Sequence, residues 1–324
     1  MDIYIKKAII HQFTPTDTNL LFADKFLTIT PKIEEYLRKK IERAYSDEAK
    51  TGILESENPF LAMISDDLME TSIALSQLWK KEFSISENQK INDLIFIQFD
   101  KEGVKHFAFL RITLRETLTH LGVEADEPIR ITQNNLPGFG TGADESLIVN
   151  LSNGKYHLIE KRIKYNGSFL HYFSEQLLQV NPNNSPKKSI KELEKTAQKI
   201  AHSFNEDNFQ FQSKVKSSIF NNLEENDELS PEKLAADLFD NNLTARLTFM
   251  DQIKETIPEP IKFDEIDSSR QKKKFENQKL SLSNGIELIV PNSIYQDADS
   301  VEFIQNDNGT YSILIKNIED IQNK

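Results

Sequence analysis

Lys188, Lys191, Lys195 and Lys199 fall three, four and four residues apart. A helix would carry all four on one face. Stacked like charges there cost about a few tenths of a kcal/mol per pair, which bound phosphate would offset. The stripe closes a segment, 155–199, in which nine basic residues face four acidic ones. Its other cations are Lys155, Lys161, Arg162, Lys164 and Lys187. On a chain of formal net charge −12, such a concentration is a surface for a polyanion. The competing arrangement is a solvated face with internal pairs. Glu192 lies four after Lys188 and three before Lys195, and Glu194 three after Lys191.

Other chemistry is weaker. A metal-dependent nuclease would use Asp144 or Glu145 with Glu160 as ligands for a hard cation, beside Lys161 or Arg162. The order Glu-Lys-Arg is not the Glu-x-Lys of many such enzymes, and a charged, exposed strand is expected instead. The cluster Gly138-Phe139-Gly140-Thr141-Gly142-Ala143-Asp144 has the look of a phosphate loop. A strand pattern follows it where a helix is needed, and no Gly-Lys-Ser/Thr is present. A mobile loop between strands is expected. No two of the six histidines stand four apart, and no Gly-x-Ser-x-Gly occurs. With no cysteine in the chain, thiolate metal sites, disulfides and cysteine nucleophiles are excluded. Ten glycines in 324 residues count against repeated glycine-rich phosphate loops. No catalytic residue, cofactor or metal is expected.

Two further charge clusters stand apart. Lys272-Lys273-Lys274, near Arg270 and Lys279, reads as a flexible, solvated connector. Between Glu224 and Asp240, seven acids face Lys233 alone, a segment suited to a basic partner. Helical patterns across Phe209 to Ile257 have helix-turn-helix spacing. The third helix offers only Arg246 and Lys254, too few cations for a recognition helix.

The elements that position these residues are strands and helices without a βαβ rhythm, which predicts an α+β fold. Ile3 to Phe13 and Leu20 to Thr30 read as extended segments around a turn at Thr14-Pro15-Thr16-Asp17. Thr30-Pro31, Asn58-Pro59 and Ser230-Pro231 read as helix starts. Leu68 to Phe83 is helical. Ile91 to Phe99 pairs with His106 to Thr113, and Leu147 to Leu151 with Tyr156 to Ile163 across Asn153-Gly154. From Ser168 the pattern is helical, with Phe169, Leu170, Phe173, Leu177 and Leu178 on one face. After a break at Asn181 to Pro186, further helices bury Ile190, Leu193, Ala197, Ile200 and Phe204. Pro258-Glu259-Pro260 marks a linker, and strands return at Ile286 to Val290, Ser300 to Gln305 and Thr310 to Lys316. Three parts are expected: a mixed strand/helix N-terminal domain over 1–166, a helical middle region over 167–260, and a small β-rich C-terminal module over 261–324. Neither a signal peptide nor an apolar run long enough to span a bilayer is evident, so no membrane partner is expected.

The order of these parts resembles the bacterial nucleoid-associated proteins of the NdpA (YejK) type. The matching stretches are IYIKKAIIHQF, YHLIEKRIKYNGSFLHYFSEQLL, SPKKSIKELEKTA, LEENDELSPEKLAADL and LSLSNGIELIVP. The long Asn134 to Glu145 loop departs from the pattern. The resemblance implies a non-enzymatic protein of the cytoplasm and nucleoid that meets DNA directly or through partners. Charge placement alone selects Lys161, Arg162, Lys164, Lys187, Lys188, Lys191 and Lys195 as contacts to double-stranded DNA, with little sequence specificity. A symmetric homodimer would double that face. The alternative is an adaptor whose acidic Glu224 to Asp240 segment docks on a DNA-handling protein.

Overall fold

The computed structural model describes residues 1–15, 19–87, 89–121, 129–205, 209–257, 260–263, 265–320 and 322. The chain forms two compact units, Met1–Ser185 and Pro186–Lys324. The first contains strands β1 (Ile3–Thr14) and β2 (Asn19–Leu21), helix α1 (Pro31–Ala44), β3 (Lys50–Ile53), α2 (Pro59–Ala62) and α3 (Leu68–Phe83). Then follow β4 (Asn92–Lys101), β5 (Val104–Thr113), β6 (Arg115–His120), β7 (Ile129–Asn135), β8 (Glu145–Asn150) and β9 (Lys155–Ile159). The short strands β10 (Ile163–Tyr165) and β11 (Ser168–Leu170) lead to a π-helical turn, Phe173–Leu178. The fold is α+β, as expected.

Among the described residues, seven strands join in one antiparallel sheet of order β2-β1-β4-β5-β8-β9-β3. Both faces of its centre are covered. Leu94, Phe96, Phe107, Phe109 and Leu147 point to the side packed by Leu75, Trp79 and Phe83 of α3. Ile95, Ile97, Ala108, Leu110 and Ile148 point to the side packed by Leu37 and Ile41 of α1. A strand buried on both faces cannot alternate apolar with polar. This is why INDLIFIQF and HFAFLRIT are almost uninterrupted apolar runs. Thr30 caps α1, its Oγ1 accepting from Ile33 N, with Pro31 in the first turn.

The second unit begins with α4 (Pro186–Ser203), α5 (Phe209–Asn226), β12 (Glu228–Leu229), α6 (Pro231–Leu238), α7 (Leu243–Lys254), β13 (Ile261–Lys262) and α8 (Glu265–Phe275). It ends with β14 (Asn277–Ser281), β15 (Glu287–Pro291), α9 (Asn292–Tyr295), β16 (Val301–Gln305) and β17 (Tyr311–Ile315). Ile190, Leu193, Ala197 and Ile200 of α4 pack with Phe211, Ile219, Leu234, Phe249 and Ile253 in its core. The last four strands form two hairpins, β14 with β15 and β16 with β17.

Several expectations are corrected. The second extended segment ends at Leu21, not Thr30. The stretch from Ser168 is not helical at first: Ser168–Leu170 pairs with Ile163–Tyr165. Asn166 and Gly167, both at positive φ, form the two-residue turn that Asn-Gly favours, and this outweighs the helical spacing of Phe169 and Leu170. Lys272-Lys273-Lys274 lies in the last turn of α8, not in a connector. The Asn134 to Glu145 loop is shorter than expected, because Asn135 ends β7 and Glu145 begins β8. Thr16-Asp17 of the first turn and Pro258-Glu259 of the linker lie outside the described residues.

His11 of β1 is buried. Ala23 N donates to its Nδ1 at 3.1 Å, which leaves Nε2 to donate to Ser72 Oγ at 2.8 Å. Ser72 Oγ in turn donates to Met69 O at 2.9 Å. Burial pushes the pKa of His11 from 6.5 down to about 4. An unfolded imidazole takes up its proton first as pH falls, so the neutral ring stabilises the fold above about 6.5 and loses that contribution as pH drops through about 4. Urea unfolding from pH 7 to pH 4 should therefore weaken the wild type more than His11→Gln, by up to about 3 kcal/mol.

Candidate nucleic-acid interface

The C-terminal end of β5, the start of β6, Asp144, and residues 161–164 surround an open cleft of about 1010 Å³ in the first unit. Six cations line it: Lys90, Arg111, Arg115, Lys161, Arg162 and Lys164. Among the described residues, only two carboxylates, Glu116 and Asp144, do so. Lys161 Nζ sits 2.5 Å from Asp144 Oδ1. Lys164 Nζ lies 3.0 Å from Glu87 Oε2. Arg162 Nε donates to His171 Nε2 at 3.1 Å, which requires a neutral ring, and burial lowers the His171 pKa in the same direction. Lys90 and Arg115 are exposed and make no side-chain pair among the described residues. Exposed pairs such as Lys164–Glu87 contribute little and exchange readily for phosphate.

The floor of the cleft is a buried polar network. Arg111 Nε donates to Glu145 Oε2 at 2.6 Å, and its Nη1 donates to Asn92 Oδ1 at 2.9 Å. The Tyr172 hydroxyl donates to the same Glu145 oxygen and accepts from Trp79 Nε1 at 2.9 Å. Lys161 N donates to Glu145 Oε1 at 3.2 Å. Burial opposes the Arg111 charge, but Glu145 beside it outweighs that and raises the pKa. Burial, then Glu145, pushes the Tyr172 phenol well up. Burial alone would raise Asp144; Lys161 and the Thr113 N–H more than offset it and hold the carboxyl low.

The carboxylates weighed for a metal site are thus not a charged, exposed strand. Glu145 is buried, and the Glu160 side chain has no exposed surface. Glu160 accepts from Lys50 Nζ at 2.7 Å, from Ser174 Oγ at 2.8 Å and from Ser174 N at 2.9 Å. Their oxygens are occupied by protein donors. Among the described residues, no three His, Asp or Glu side chains converge as a group able to hold a metal.

The glycine cluster has a different structural use. A phosphate loop turns N–H groups inward. Here carbonyls turn inward: Lys40 Nζ donates to Thr141 O at 2.5 Å, Gly138 O at 2.9 Å and Pro137 O at 3.3 Å. Its ammonium also lies 4.4 Å from the centre of the Tyr36 ring. Burial first, then Arg43 and Arg115, push the Lys40 pKa down to about 8. The loop is a strap around a buried lysine.

The second unit carries the stripe. Lys187, Lys188, Lys191 and Lys195 of α4 are all exposed. Lys191 and Lys195 make no ion pair among the described residues, so the internal pairs that the spacing allows are not formed by these two. Glu194 is half-buried, and burial raises its pKa against Lys274 and Lys216. The acidic segment is largely engaged. Lys233 pairs with Glu225 at 2.7 Å, Lys214 with Asp240 at 2.9 Å, and Lys272 with Asp227 at 2.9 Å.

The three cleft residues selected from sequence, Lys161, Arg162 and Lys164, come together in the first unit. Lys187, Lys188, Lys191 and Lys195 belong to the second. Lys90, Arg111, Arg115 and Phe169 were not selected. One signal for Arg111 was available: a lone arginine inside an apolar strand run needs a buried acid. Among the described residues, no helix is long and apolar enough to cross a membrane.

The family described as nucleoid-associated protein YejK has a model that matches residues 9–322. No curated protein matches the chain.

Two stability changes are expected. Glu145→Ala leaves a buried, unpaired guanidinium and should cost about 3–5 kcal/mol in denaturant unfolding. Lys40→Met strips three carbonyls of their donor; it should cost about 1–3 kcal/mol and speed proteolytic cleavage between Leu136 and Ala143.

Proposed function

The chain belongs to the nucleoid-associated protein YejK family, and from that premise we propose that it binds DNA directly through phosphate contacts, without catalysis. The observation that carries this is the cleft, where six cations meet two lining carboxylates; Glu145 and Glu87 pair Arg111 and Lys164, and a positive excess still remains on a chain of net charge −12. Lys161, Arg162 and Lys164 hold phosphates at the cleft. Lys187, Lys188, Lys191 and Lys195 supply a second set of contacts from α4. Contacts to phosphates carry no sequence information, so sequence preference is weak. The net acidity confines binding to these places and discourages coating of the whole surface.

An adaptor role has less support. Glu225, Asp227, Asp237 and Asp240 already meet Lys233, Lys272, Ser218 and Lys214, which lowers the charge the segment offers a basic partner, although these exposed pairs exchange as readily as those of the cleft. A metal nuclease would have to release Glu145 and Glu160 from protein donors.

Fluorescence anisotropy with a duplex, titrated with salt, tests the proposal. Wild-type affinity should fall steeply with salt. The Lys187/Lys188/Lys191/Lys195→Glu variant, and separately Lys161/Arg162/Lys164→Gln, should each bind more weakly. The slope of log K against log salt should flatten by roughly 0.9 for each phosphate no longer neutralised. Absence of wild-type binding at low salt would transfer the nucleoid association to a protein partner.

A further inference from the structure

Phe169 is 67% exposed and lines the cleft. It sits on β11, directly across from Lys164 of β10. Cross-strand partners share a face, so the short ribbon presents an aromatic ring and a cation side by side. The Asn166-Gly167 turn, both residues at positive φ, fixes the register of that ribbon. Lys90 and Arg115, with no pair of their own among the described residues, line the same cleft.

A duplex hides the faces of its bases within the stack. An exposed ring beside cations instead suits a strand whose bases are free, because every base has a π-face and stacking tolerates any sequence. The cleft volume of about 1010 Å³ is at the upper end of the usual range for small-molecule sites, roughly 300–1,000 Å³, which leaves room for a nucleotide. Its floor is rigid: the Arg111 guanidinium lies 5.2 Å from the centre of the Phe83 ring and is fixed by Glu145.

We propose that this cleft takes single-stranded DNA, with a base stacked on Phe169 and the flanking phosphates held by Lys164, Lys90 and Arg115. This deepens, and rests on, the assignment of DNA binding to the chain. It adds a place for melted or frayed DNA to a cleft whose Lys161, Arg162 and Lys164 also meet duplex phosphates.

The experiment compares oligo(dT) with a blunt duplex as probes, using the full chain as wild type, Phe169→Leu and Phe169→Trp. Leucine keeps apolar surface at this exposed position but has no π-face. Phe169→Leu should lose roughly five- to 150-fold in oligo(dT) affinity with duplex affinity unchanged. Phe169→Trp should retain oligo(dT) binding and show fluorescence quenching on binding that is absent in the wild type. Equal oligo(dT) affinity for Phe169→Leu and wild type, an equal loss on both probes, or duplex binding without oligo(dT) binding would each overturn the inference and leave duplex binding standing. Failure of the wild type to bind either probe would overturn both.

Discussion

The buried Arg111–Glu145 pair is the constraint on which the cleft depends. Two charges out of water must be paired and have their remaining hydrogen-bonding capacity filled. Meeting that demand draws several parts of the first unit together. Arg111 comes from β5 and Glu145 from β8. Lys161 contributes its backbone N–H. Tyr172, at the start of the π-helical turn, adds its phenol and passes the network to Trp79 of α3. Such a pair adds little net energy over apolar packing of the same shape. Its effect is geometric: it fixes the backbone of 161 at the floor while the Lys161 side chain reaches the rim toward Asp144.

Electrostatics across the chain follow the same logic of placement. Cations that would be lost in a sea of acids are either clustered or internally committed. Lys40 is committed, its charge spread over three loop carbonyls. Lys272, Lys233 and Lys214 are committed to the acidic segment of the second unit. Lys191 and Lys195 remain uncommitted among the described residues, as do Lys90 and Arg115 in the first unit. Of these lysines only Lys40 is fully buried; the surface pairs of the others contribute little to stability.

Much of the fold was legible from patterns that a single physical rule generates. The double-sided burial of β4 and β5 wrote itself into LIFIQF and HFAFLRI, and Thr30-Pro31 and Ser230-Pro231 started helices by filling vacant N–H positions. What escaped involved competition between rules. At Asn166-Gly167 a turn signal outweighed apolar helical spacing. At Lys272 the chain is helical, and its side chain pairs with Asp227 and Glu224, residues more than 40 positions distant. The hairpin of β6 and β7 has one face with Leu118 and Ile131 opposite each other and both exposed, so it lacks the core-facing alternation that marks a strand. At the site, charge placement found Lys161, Arg162 and Lys164 because they are adjacent in the chain. It missed Lys90, Arg115 and Phe169 because only the sheet order brings them to the same cleft. It also took Glu145 and Glu160 for exposed residues, since a carboxylate buried by a distant arginine or lysine looks like any other in sequence.

The π-helical turn Phe173–Leu178 sets a limit on how the chain can vary in length. Tyr172 enters it and Leu177 and Leu178 leave it, all three buried in one core. Each residue advances an α-helix by about 100°, and a π-helix, bonded i to i+5, by less. Deleting one residue inside the turn would let it relax to an ordinary α-helix, and the larger step per residue would return the two ends to nearly the same angle. The phenol could stay on Glu145 and the last leucine in the core. Between Tyr172 and Leu178, therefore, relatives of this chain should either keep the π turn or lack a single residue and carry a plain α-helical turn, while longer insertions and deletions collect in the exposed segments on either side.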